Sequence, residues 1–98
     1  MEIQITSRHS KASQSLQDTI TEELNKVGKY FDKITSCHVV LDSEHVEKVA
    51  EITMHSLGHP VVATAKAENI GKAFDDALAK AERQLKKISE KIKDHKAA

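Results

Sequence analysis

From Ile70 onward, apolar side chains recur three and four residues apart: Ile70, Phe74, Ala77, Leu78, Ala81, Leu85, Ile88 and Ile92. This spacing lays one continuous stripe along an α-helix. A helix of about 24 residues is about 36 Å long at 1.5 Å per residue. Asn69 stands just before it, and its side-chain oxygen can accept from an N–H that the first helical turn leaves unpaired. An apolar stripe of that length has to be covered, and the rest of a 98-residue chain must supply the cover.

The cover reads mostly as sheet. Ile3 and Ile5 alternate with Glu2, Gln4 and Thr6, a period of two that predicts a short, half-buried strand. Ser7 to Ala12 reads as a connection, and Ser13 is placed to cap a helix from about residue 14 to 31, whose apolar positions are Leu16, Ile20, Leu24, Val27 and Phe31. Cys37, Val39 and Leu41 then alternate with His38 and Val40, and Ala50, Ile52 and Met54 with Glu51, Thr53 and His55. These predict an antiparallel hairpin with a longish loop that begins in the polar run Asp42 to Glu44. Gly58, His59 and Pro60 predict a second turn. Val61 to Ala67 predicts a fourth strand with Ala63, Ala65 and Ala67 on one face, small enough for a helix to lie close. The expectation is an α+β fold of order β-α-β-β-β-α: a four-stranded mixed sheet with two helices packed on one face, in the topology of double-stranded RNA-binding domains. The first crossover should be right-handed and join parallel strands. Residues 1–98 make one domain, with no repeat or linker and no room for a second lobe.

The formal net charge is zero, but the charges are divided. Residues 1–65 carry six Lys/Arg and nine Asp/Glu, and residues 66–98 carry nine and six, so the positive charge lies in the last third. On a helical wheel Lys80, Arg83, Lys87 and Lys91 fall within about 80° of one another, beside the apolar stripe, with Asp76 intruding near the start. Such a line suits a row of phosphates; cations late in a helix also complement its dipole and keep a small protein in solution. Arg8 and His9 follow the first strand, and Lys26 and Lys29 stand on the first helix.

Other chemistries find little support. A lone cysteine, Cys37, sits in an apolar run and points to a reducing compartment. The N-terminus MEIQITSRH has no signal-peptide pattern, and no segment is long and apolar enough to span a membrane, so a cytoplasmic location is expected. His55 and His59 are separated by Gly58 and followed by Pro60, which forbids a helical metal site, and no ligand cluster completes one. His38 and Glu51 are the one acid/base pair the hairpin could bring together on the open sheet face. No GxGxxG, GxxxxGKS or GxSxG motif is present. Neither enzyme activity nor a cofactor, metal or small-molecule substrate is expected. Aromatic platforms are scarce: Tyr30 is the only tyrosine, and Phe31 and Phe74 read as core, which argues against a reader of stacked single strands.

Four strings, ITSRH, KVGKYFDKI, VVLDSE and above all KAERQLKK, resemble the ribosome hibernation factors, the family of hibernation promoting factor and protein Y, over nearly the whole chain. The resemblance implies a translation inhibitor that binds the small ribosomal subunit in stationary phase or stress, in the channel that mRNA and the A-site and P-site tRNAs use. It implies silencing by occupancy, without chemistry. Carried over residue by residue, the implied rRNA contacts are Arg8, Lys26, Lys29, Lys80, Arg83, Lys87 and Lys91, with Lys86 as an addition off the main line. Short members of the family either promote ribosome dimers with a helper protein or oppose them, and this chain resembles a short member. Where family members often carry an aromatic residue near the start of the last helix, this chain reads Asn69, Ile70, Gly71, Lys72. Its hairpin loop is acidic, with Asp42, Glu44 and Glu47. Two other readings stay open on the residues alone: a module for free double-stranded RNA, and a protein-interaction or dimerisation module that uses the open sheet face.

Overall fold

The computed structural model describes residues 1–9 and 11–97, with side chains through Glu90. The elements are β1 (Glu2–Ser7), α1 (Gln14–Tyr30), β2 (Ile34–Glu44), β3 (Glu47–Ser56), β4 (His59–Ala67) and α2 (Ile70–Ala97). The sheet order is β1-β2-β3-β4, with β1 parallel to β2 and the other pairs antiparallel. The expected element order and pairing therefore hold.

Alternation across the sheet sorts residues into rows. Ile3, Cys37, Met54 and Val61 form one; Ile5, Val39, Ile52 and Ala63 the next; then Leu41, Ala50 and Ala65. These rows join Ile20, Leu24 and Val27 of α1 and Ala73, Phe74, Ala77, Leu78, Ala81 and Leu85 of α2 in a single core. Both helices thus cover one face. The intervening positions, among them Gln4, His38, Thr53 and Val62, make the open face. Ala63 and Ala65 are buried under the helical layer, as their size predicts. Both caps form: the Leu16 N–H donates to Ser13 Oγ at 3.1 Å, and the Lys72 N–H to Asn69 Oδ1 at 2.8 Å.

Three boundaries differ from expectation. The hairpin loop is only His45 and Val46, because His45 takes a left-handed φ of 53° and lets β2 and β3 pair out to Glu44 and Glu47. Asp42 to Glu44 are strand residues. The second turn is Leu57 and Gly58, both at positive φ (52° and 77°), while His59 and Pro60 already pair with β3. Pro60 is tolerated there because β4 is an edge strand. Val62 and Thr64 turn their carbonyls outward to α2 side chains, so Pro60, two residues before Val62, has its missing N–H on the outward side. Finally, α2 spans 28 residues rather than about 24. Among the described residues no helix is long and apolar enough to cross a membrane.

Burial also sets the chemistry of the cysteine. Cys37 is 2% exposed, and desolvation pushes its thiol up to about 12. The thiolate is the reactive form, so in native protein at pH 8 Cys37 is expected to resist an alkylating agent. Labelling should appear only in step with unfolding when urea is titrated. Rapid stoichiometric labelling of folded protein would contradict this burial.

Candidate nucleic-acid interface

The site is built on the side of α2 that overhangs the β4 edge. Lys80 Nζ donates to the Thr64 carbonyl at 2.9 Å, and one turn later Gln84 Nε2 donates to the Val62 carbonyl at 2.8 Å. Advancing along α2 while moving back along β4 shows that the two elements are antiparallel. The bonds also occupy two carbonyls that an edge strand would otherwise offer to another chain. Lys80 keeps two of its three N–H donors. The sequence reading omitted Gln84, which carries no charge; its signal was its position one turn from Lys80 on the same side of the helix.

Arg83 and Lys87 continue this line and are exposed, and Lys86 is exposed off to one side. Among the described residues none of Lys80, Arg83, Lys86 and Lys87 is paired with a carboxylate, and Asp76 does not engage Lys80. Lys91, the last residue of the predicted line, and Ile92 lie outside the described side chains.

The other candidates are distributed by the helix directions. Ser13 and Leu16 of α1 and Ile70 of α2 line one cavity of about 160 Å³, which places both helix N-termini at one end of the sheet. Lys26 and Lys29 therefore lie toward the other end, as do the later turns of α2. Lys29 is exposed in the last turn of α1, where it complements the helix dipole. Lys26 is partly offset by Glu23 at 3.4 Å. Arg8 stands at the end where the helices begin; its backbone N–H donates to the Leu41 carbonyl at 2.8 Å. Next to it His9, at a left-handed φ of 65°, places Nδ1 2.7 Å from Asp42 Oδ1. The structure thus groups Lys80, Arg83 and Lys87 with Lys86 alongside, sets Lys26 and Lys29 on the neighbouring helix, and leaves Arg8 apart beside an acidic partner.

Asp42 is held below the usual carboxylate range, first by the His9 side-chain bond, then by the Ser43 N–H, with the charges of His9 and Arg8 adding to the effect. A depressed folded pKa contributes stability above the unfolded value of about 4, and that stability is lost as pH falls through the folded pKa. Wild type should therefore exceed Asp42→Asn in urea midpoint at pH 6, and the gap should close as the pH is lowered below 4. A gap that is constant across that range would mean the ionised carboxylate contributes nothing.

The expected pairing of His38 with Glu51 does not form. The two-residue turn sets the register, so His38 faces Thr53, and Glu51 faces Val40. His38 Nε2 instead shares a 2.9 Å hydrogen bond with Thr6 Oγ1 on the neighbouring strand. Nearby, Glu2, Gln4, Ser36, His38, Thr53 and His55 line an open depression of about 320 Å³. Among the described residues no three His, Cys, Asp or Glu side chains converge as metal ligands would.

Comparison with known proteins agrees with this architecture. The model of the family described as sigma 54 modulation protein / S30EA ribosomal protein matches residues 3–93. A ribosome hibernation promoting factor of Pseudomonas putida is 37% identical over 91 residues, 93% of this chain and 89% of that protein. Its counterpart in Escherichia coli K12 is 32% identical over 95 residues, 97% of this chain and all of that protein. Two solved structures share the fold at 23% identity. One is a ribosomal subunit interface protein from Coxiella burnetii (TM-score 0.86, covering 92% of this chain and 99% of that one). The other is the N-terminal domain of Thermus thermophilus protein Y (TM-score 0.80, 90% and 99%). With the family model spanning nearly all of the β-α-β-β-β-α order and full-length relatives above 30% identity, this chain belongs to the sigma 54 modulation protein / S30EA ribosomal protein family, that of the ribosome hibernation promoting factors.

Proposed function

We propose that this protein is a ribosome-associated hibernation factor that binds the small ribosomal subunit with α2 against rRNA. It occupies the channel used by mRNA and tRNA and so inactivates or stores ribosomes under stress. The observation that carries the reading is the line of Arg83 and Lys87, without carboxylate partners among the described residues, continuing from a Lys80 held at the β4 edge. Cations presented from one rigid helix meet phosphates at fixed spacing and gain affinity from counterion release. Lys86 stands beside the line and Lys91 would be its next member in sequence, Lys26 and Lys29 supply a second row from α1, and Arg8 makes a separate contact at the far end. Nothing in this scheme needs a reaction, so we read the protein as a non-enzyme acting in the cytoplasm by occupancy, with residues 1–98 as one functional domain.

The test is a competition. Intact small subunits and free A-form RNA duplex are offered at equal nucleotide concentration, with binding followed by sedimentation from 50 to 300 mM salt. Preference for the subunit, with affinity falling steeply as salt rises, is expected. Preference for free duplex would sink the ribosome reading, and indifference to salt would point to a protein partner.

A further inference from the structure

Tyr30 is the only tyrosine of a chain that has no tryptophan, and it is 82% exposed. The two phenylalanines are used otherwise: Phe74 is buried, and Phe31 is half-buried against the core. The Tyr30 ring meets that of Phe31 edge-on, with centroids 4.8 Å apart and planes inclined at 72°. An aromatic ring at the surface is therefore propped by one anchored in the core, which limits the freedom it would lose on binding. Its surroundings are cationic. Lys26 lies one turn back on the same side of α1, Lys29 adjoins it, and Lys33 follows in the turn; all three are exposed. Lys26 is tied to Glu23, whereas Lys29 and Lys33 have no carboxylate partner among the described residues. Asp32 is the one acidic residue between them.

We propose that Tyr30 is a stacking site for a single unpaired nucleobase of the ribosomal RNA, with Lys29 and Lys33 on the phosphates beside it. The inference rests on the ribosome reading above and adds to it a contact that phosphate recognition alone does not supply. A π-face bordered by ammonium groups suits a base carried on its phosphodiester; an apolar protein surface would have to desolvate those charges. The scarcity of aromatic residues excludes a row of stacked bases, and one platform fits one flipped-out or loop base.

Affinity for small subunits, measured by sedimentation across a salt series, tests the assignment in Tyr30→Ala, Tyr30→Leu, Tyr30→Phe and Lys29→Ala. Because Tyr30 is exposed, all four should fold, which their circular dichroism checks. Tyr30→Ala should lose about 5- to 150-fold at every salt concentration, as for removal of one base–aromatic stack. Its salt slope should stay that of wild type, since stacking releases no counterions. Tyr30→Leu should lose a similar amount, Tyr30→Phe should keep most of the affinity, and Lys29→Ala should flatten the slope. If Tyr30→Ala binds as wild type does, the stacking site is wrong while the ribosome reading stands. Full affinity in Tyr30→Leu would mean an apolar contact instead, and a Tyr30→Phe as weak as alanine would mean the hydroxyl acts rather than the ring. Failure of wild type itself to bind at low salt would overturn the ribosome reading and this site with it.

Discussion

Replacing Lys80, Arg83 and Lys87 together by alanine is expected to weaken binding to small ribosomal subunits about a hundredfold near 0.1 M salt and to make the slope of log K against log salt shallower by about three. The three residues follow one line on α2, and none is neutralised by a carboxylate among the described residues. Alanine is the best helix former, so the helix itself should persist. Lys80 also donates to the Thr64 carbonyl, so its removal has a structural component that a control must separate. Gln84→Leu provides it: that change removes the equivalent bond to the Val62 carbonyl without altering charge. Gln84→Leu should lower the urea midpoint slightly and leave the salt slope as in wild type. A triple variant that co-sediments with small subunits as well as wild type would move the contact surface off α2 altogether.

Phe74→Ala should destabilise the fold by about 3–5 kcal/mol, a large fraction of the roughly 5–15 kcal/mol available to a domain. Phe74 is 2% exposed and is the largest of the fully buried side chains. It belongs to a core in which the facing helix and strand positions are unusually small: Ala73, Ala77 and Ala81 on α2, Ala50 on β3, Ala63 and Ala65 on β4. Methyl groups have no rotamers with which to fill a void, so the cavity left by the ring should collapse only in part. Phe74→Leu, which keeps most of the volume, should cost about 1–1.5 kcal/mol. Urea unfolding followed by circular dichroism checks both. An alanine variant within 1 kcal/mol of wild type would show that the site relaxes, and that α2 is not seated on the sheet as described.

Much of this architecture was legible residue by residue. The stripe from Ile70 to Leu85 could only be one helix face, and the alternations around Cys37–Leu41, Ala50–Met54 and Val61–Ala67 could only be strands buried on one side. Ser13 and Asn69 announced their caps because a short polar side chain is needed there and little else satisfies the first-turn N–H groups. The turns were read less well. His45 and Leu57 adopt positive φ without being glycine, a choice imposed by pairing on either side rather than by local preference. The turn also sets His38 opposite Thr53 and Glu51 opposite Val40, so the expected His38–Glu51 pair is diagonal rather than direct, and His38 bonds Thr6 instead.

The sequence by itself determined which side chains belong to the core and that the cations of α2 share one side of a helix, because a period of 2 or 3.6 is a property of neighbours in the chain. Only the tertiary structure decided where that side lies. Packing α2 antiparallel along β4 turns Lys80 and Gln84 toward the open edge, and antiparallel pairing leaves the Val62 and Thr64 carbonyls there to receive them. It also decided that Arg8 shares its end of the molecule with Asp42. Each depends on residues brought together from distant parts of the chain, by hydrogen bonds and burial that no local spacing specifies.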